Sequence, residues 1–140
     1  MIFEEGKTYD FGITKLSEEE IIAFAKMYDP LDFHTDIESA MKSRFKGLIA
    51  SGPHLFNKNY KEKWIPLFGN SVICGLEVSN WKFLKPAYAN QEIKTTVSIK
   101  EVKQNLEKKW AAVTWLFEFN DSQNELVQTL EMKVLHHIEE

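Results

Sequence analysis

Asp29 and His34 stand five residues apart in the stretch FAKMYDPLDFHTDIESAMKSRFKGLIASG, residues 24–52, with Pro30 stiffening the chain between them. A loop that presents both side chains to one cleft lets a carboxylate and an imidazole manage a single water. Histidine titrates near neutral pH and a carboxylate can hold or accept a proton, so the pair suits general acid–base chemistry. Ile49-Ala50-Ser51-Gly52 then runs into a segment that opens with Pro53. A helix starting there offers unpaired backbone N–H groups and a partial positive charge, which suits an oxyanion. Gly52 has no side chain to keep a ligand from that amide.

The same residues admit plainer roles. An Asp beside a His can be no more than a loop hydrogen bond, and Ser17, Asp36 and the glycines are accounted for by capping and turns. His34 and Asp36, joined by Asp29 or Asp32, have the donor types for a metal, but no second histidine is near and no metal is expected. Cys74, in an apolar strand, reads as a small core residue. His136 and His137 read as a solvated tail.

These residues need elements to hold them. Ser17-Glu18-Glu19-Glu20 has the capping-box spacing, and Ile21, Phe24, Ala25 and Tyr28 follow on one helical face. Pro30 ends that helix at or just before Asp29. A short helix is expected from Asp36 to about Ser43, and a third from Pro53 to Trp64. Residues 7–15 read as a first strand. After Gly69 the pattern is β: Val72, Cys74, Leu76 and Val78 alternate, and Trp81 and Phe83 continue on the opposite parity, as a bulge near Ser79-Asn80 would produce. Ile93, Thr95, Val97 and Ile99 mark a strand with one wet face. Val113, Trp115, Phe117 and Phe119 mark the next, and Leu126, Leu130, Met132 and Val134 the last. The order is strand, helices, then about four long antiparallel strands, which predicts an α+β domain whose curved sheet wraps a helix.

Length and composition agree with one packed domain over residues 1–140: 44% hydrophobic, 27% charged and a net charge of −4. That charge argues against a non-specific grip on nucleic acid or an anionic membrane. One cysteine rules out an internal disulfide. No apolar run is long enough for a membrane span, and the N-terminus is acidic where a signal peptide would be basic, so a cytoplasmic location is expected.

Phe24-Ala25, Tyr28-Asp29-Pro30, Phe33-His34, Asp36, Ala40, Ser43, Phe45 and the run from Gly47 to Gly52 together resemble the MaoC-like acyl dehydratases, relatives of the (R)-specific enoyl-CoA hydratases. A weaker likeness extends to Leu16–Ile21 and to Trp81–Pro86. The resemblance implies a single hotdog domain, a homodimer or dimer of dimers, and a coenzyme A thioester as substrate with no separate cofactor. Asp29 and His34 would activate water, and the Gly52 amide, with Ser51 beside it, would hold the thioester oxygen. The implied reaction is reversible syn addition of water to a trans-2-enoyl thioester. Arg44, the only arginine, has a fork that could grip a coenzyme A phosphate. Ile73, Leu76, Phe83 and Tyr88 are candidates for the wall of an acyl tunnel.

Three features depart from the family pattern. Pro86 is followed by Ala87-Tyr88-Ala89-Asn90-Gln91 rather than a Pro-Gly-Asp turn, the central helix is unusually charged, and Pro53-His54 replaces an aromatic-His pair. Two other classes stay open: a hotdog acyl-CoA thioesterase, and a non-catalytic acyl-thioester binder or partner subunit.

Overall fold

In the computed structural model, which describes residues 2–139, five antiparallel strands form one sheet in the order β1-β3-β4-β5-β2. They are β1 (Thr8–Thr14), β2 (Val72–Phe83), β3 (Ile93–Asn105), β4 (Trp110–Asn120) and β5 (Leu126–His137). The expected inward rows hold. Ile93, Thr95, Val97 and Ile99 of β3 are buried, as are Val113, Trp115, Phe117 and Phe119 of β4. Alternation puts every second residue on one face, so these rows meet a common core.

The central helix covers that face. It is longer than expected: α4 (Gly52–Asn59), a π-helical turn (Tyr60–Trp64) and α5 (Ile65–Phe68) follow without a break. Pro66 explains the irregular turn. A proline inside a regular helix loses an amide and collides with the carbonyl four residues back. Here the Ile65 N–H bonds to Tyr60 O instead, one residue wider than the α pattern. Leu55, Phe56, Trp64 and Phe68 face the sheet and are buried, while Lys61, Glu62 and Lys63 face away and are exposed. The charge on this helix is therefore confined to the side the sheet does not wrap.

Between β1 and the central helix lie α1 (Glu18–Tyr28), α2 (Asp32–Thr35) and α3 (Ile37–Lys42). Ser17 and Glu20 form the reciprocal capping box at the start of α1. Asp36 caps α3, accepting from the Glu38 N–H and the Ser39 hydroxyl. The four-residue α2, which carries His34, has no sequence signal of its own.

Two readings of the strands need correction. β2 lies at a sheet edge and is largely exposed, Cys74 included. Its pairing with β5 slips at three places, one of them the expected bulge between Ser79 and Lys82, where Asn80 takes a φ of +50°. The apolar alternation of 72–78 is therefore not a core-facing row.

His136 is not in a solvated tail. It is completely buried at the end of β5, packed among Phe3, Trp64 and Trp115. The Trp115 indole N–H donates to His136 Nε2 at 3.1 Å. An indole can only donate, so Nδ1 carries the imidazole proton and gives it to Ser71 Oγ at 2.8 Å. His137, by contrast, is exposed.

Burial holds His136 neutral and pushes its pKa down to about 4. His54, stacked on Phe24 with its Nδ1 buried and unpartnered, is pushed to about 4 chiefly by the same desolvation. The unfolded chain therefore binds more protons than the folded one between the ordinary histidine value and pH 4. Stability must fall as pH falls through that window. We expect Tm to drop by several degrees between pH 7 and pH 5, with a shallower drop in His136→Gln. Thermal melts with parallel slopes for the two proteins would remove His136 from this account.

Candidate active site

The Asp29 N–H closes α1 by bonding to Ala25 O, and the chain then leaves the helix at φ −160° as Pro30 requires. One turn later His34 is 5% exposed, its N–H on Leu31 O and its Nδ1 2.7 Å from Ile49 O. A carbonyl can only accept, so Nδ1 carries a proton and donates it to Ile49 O, which leaves Nε2 to face Asp29. Nε2 lies 3.3 Å from Asp29 Oδ2. The same carboxylate oxygen accepts from Ser51 Oγ at 2.8 Å. Asp29 Oδ2 thus accepts from Ser51 and faces His34 Nε2, a spacing at which the two groups can share one proton, and Oδ1 makes no hydrogen bond among the described residues.

Ser51 occupies the N-cap of α4 but makes no side-chain cap bond, because its hydroxyl is given to Asp29. Pro53 has no amide hydrogen, and the His54 N–H turns back to Ser51 O at 3.0 Å. The Gly52 N–H finds no acceptor among the described residues, which leaves one free donor at the positive end of the helix. The ring of Phe83 stands over this residue. A Cβ placed on Gly52 would lie 2.7 Å from Phe83 Cε1.

Asp29, His34, Ser51, Gly52, Phe83 and Gln128 share one cleft of about 470 Å³. An acid–base pair and an unpaired backbone donor lining one largely apolar cleft can hold a polarised carbonyl and move a proton beside it.

Of the candidate tunnel residues, Phe83 lines this cleft. Tyr88 is not among the cleft's lining residues; it packs against Gly47 and donates its hydroxyl to Phe45 O at 2.7 Å. Leu76 faces a different hollow farther along β2, and Ile73 lies in the exposed edge. Arg44 is exposed in the turn after α3, next to Phe45 of the cleft wall, and makes no ion pair among the described residues.

The loop after Pro86 closes without the missing glycine. Asn90 takes the left-handed conformation, φ +62°, that an asparagine tolerates better than most residues. Ala50 N–H to Ala87 O and Ala89 N–H to Leu48 O then tie the loop to the strand-like segment before Gly52. Lys85, at the cleft rim, is paired with Asp121 and Glu125.

Gln128 is the site residue that sequence reasoning passes over. Its signal is a lone amide in the inward row of β5, between Leu126 and Leu130. A buried polar group there needs partners.

Comparison with known proteins bears on the fold and the family. The profile of the family described as "MaoC like domain" matches residues 3–116. An uncharacterised protein of Bacillus subtilis, YdeM, is 36% identical over 107 residues, 74% of this chain and 75% of its own. A MaoC-like dehydratase from Rhodospirillum rubrum superposes with a TM-score of 0.83 at 23% identity, over 99% of this chain and 95% of its own. The (R)-hydratase of A. caviae involved in PHA biosynthesis superposes at 0.74 and 22% identity, over 94% and 96%. The two structures share the hotdog fold of one curved sheet around one helix. With a profile spanning most of its length and a relative this similar, the chain belongs to the MaoC-like domain family.

Proposed function

We propose that the protein is a hydratase or dehydratase that interconverts a trans-2-enoyl thioester and a 3-hydroxyacyl thioester, with coenzyme A as the carrier. The observation that carries this is the convergence of the Asp29–His34 pair and the free Gly52 N–H on one apolar cleft. In this reading the thioester oxygen accepts from Gly52, which draws electron density from the double bond. A water held by Asp29 and His34 Nε2 loses a proton to the pair as its oxygen bonds to C3. Negative charge gathers on the thioester oxygen, facing the helix start, and the pair returns a proton to C2. The sum is addition of one water across the double bond, and dehydration is the same path reversed.

Ser51 serves here by holding Asp29, and Arg44 by meeting a phosphate of the carrier at the rim. A homodimer joined along β2 fits the same picture. That edge offers unpaired backbone groups and the exposed Ile73, Leu76 and Val78. A monomeric mass in light scattering at micromolar concentration would remove the dimer from the proposal.

The test is loss of enoyl-thioester absorbance on adding crotonyl-CoA, followed by a series of longer and branched trans-2-enoyl-CoAs, with free thiol assayed in parallel. Absorbance loss without thiol release is expected. Thiol release would indicate a thioesterase, and binding without turnover across the whole series would indicate a non-catalytic binder.

A further inference from the structure

Gln128 is 4% exposed, lines the cleft, and has both ends of its amide engaged. Its Oε1 accepts from the Trp81 indole N–H at 3.0 Å, and its Nε2 donates to Gly52 O at 3.0 Å. The orientation of this amide is settled by chemistry: indole nitrogen only donates, a peptide carbonyl only accepts, so a flipped amide would lose both bonds. Trp81 is itself braced edge-on against Phe56 of the central helix. A chain of two hydrogen bonds therefore runs from β2 through β5 to the first residue of α4.

That first residue needs an external hold. A helix start is ordinarily secured by its N-cap side chain, but the Ser51 hydroxyl is committed to Asp29. The residue before a proline is also biased away from helical geometry, and Gly52, lacking a side chain, is the most mobile residue that could stand there. Without a side-chain cap, the Gly52 peptide groups are held locally only by the first turn of α4, and the N–H on its outer side has no bond of its own among the described residues. The Gln128 amide adds a second anchor, from the sheet, to the Gly52 carbonyl.

We propose that Gln128 is a positioning residue for the reaction: by pinning the Gly52 carbonyl it holds the Gly52 N–H on the place where thioester-oxygen charge develops, and Trp81 acts through it. The inference rests on the hydratase reading above. It requires a cost in the chemical step rather than in ground-state binding, because a donor aimed at developing charge matters most in the transition state.

The experiment is steady-state hydration of the best enoyl-CoA by wild type, Q128M, Q128E, W81F and the double variant W81F/Q128M, with H34A as the inactive reference. Methionine keeps the size of glutamine without its donor. Glutamate keeps size and polarity and, assayed at a pH high enough to ionise it against its burial, has no proton to donate, so it serves where Q128M does not melt as a folded protein. We expect both Gln128 variants to lose about tenfold to a hundredfold in kcat with KM within about twofold. W81F should fall in the same direction by less, and the double variant should be no slower than Q128M, since the indole acts only through the amide.

A folded Gln128 variant with wild-type kcat, beside an inactive H34A, would overturn the positioning role and leave the hydratase reading standing. So would a change confined to KM, or W81F and Q128M effects that multiply. Failure of wild type on every enoyl-CoA would overturn the hydratase reading and this inference with it.

Discussion

His34→Ala and Asp29→Asn should each lower the hydration rate by about 10²–10⁴-fold while leaving acyl-CoA binding nearly intact. In the proposed mechanism the two side chains act on one water, so the double variant should be little slower than either single one. The substitutions probe different halves of the pair. In Asp29→Asn the new amide keeps the shape of the carboxylate and can still accept from Ser51, but it can no longer take up a proton. The melting temperature of that variant should stay close to wild type. His34→Ala removes a buried ring and strands the Ile49 carbonyl that held it at 2.7 Å, so some stability is lost as well. A thermal melt separates that loss from the catalytic one. Undiminished turnover in Asp29→Asn would exclude Asp29 from proton transfer, whatever His34→Ala does.

Gly52→Ala should come next in severity, with kcat down by about a hundredfold or more. Backbone strain is not the cause, since Gly52 does not adopt a positive φ. The cause is space. The new methyl would sit 2.7 Å from Phe83 Cε1 and 2.9 Å from its Cζ, inside contact distance of a ring. Either Phe83 is driven into the cleft, where it takes space from a ligand, or the start of α4 retreats and carries the Gly52 N–H away from Asp29 and His34. Phe83→Leu in the Gly52→Ala background relieves the collision and should recover part of the lost rate. Phe83 is 55% exposed, so shortening it costs little folding energy. If Gly52→Ala turns over as wild type does, the close approach of Phe83 to Gly52 does not matter to the reaction.

Both predictions concern residues that are legible in the sequence, and the reason is that their placement is local. A capping box at Ser17 and a proline at position 30 define where α1 begins and ends, so Asp29 must stand at a helix end. The run from Asp29 to Gly52 folds within itself: His34 reaches Ile49, Ser51 reaches Asp29, and Asp36 caps the helix next to it. Strand rows such as Ile93–Ile99 and Val113–Phe119 are legible for a similar reason, because alternation is a property of consecutive residues.

What the sequence does not disclose depends on which strands pair and in what register. Cys74 and Leu76 carry the alternation of a core strand, yet β2 falls at the edge of the sheet, where one side of its ladder has no neighbour. His136 looks polar and terminal, yet pairing of β5 with β4 carries it beside Trp115, where burial strips its charge. Gln128 lies 76 residues from Gly52, and no local pattern relates them. The order of residues along the chain set the chemistry available near Asp29 and the helices that present it. Only the closing of the sheet around the central helix brought Gln128 and Phe83 to the same glycine, because contacts between distant segments follow from strand order and register rather than from neighbouring residues.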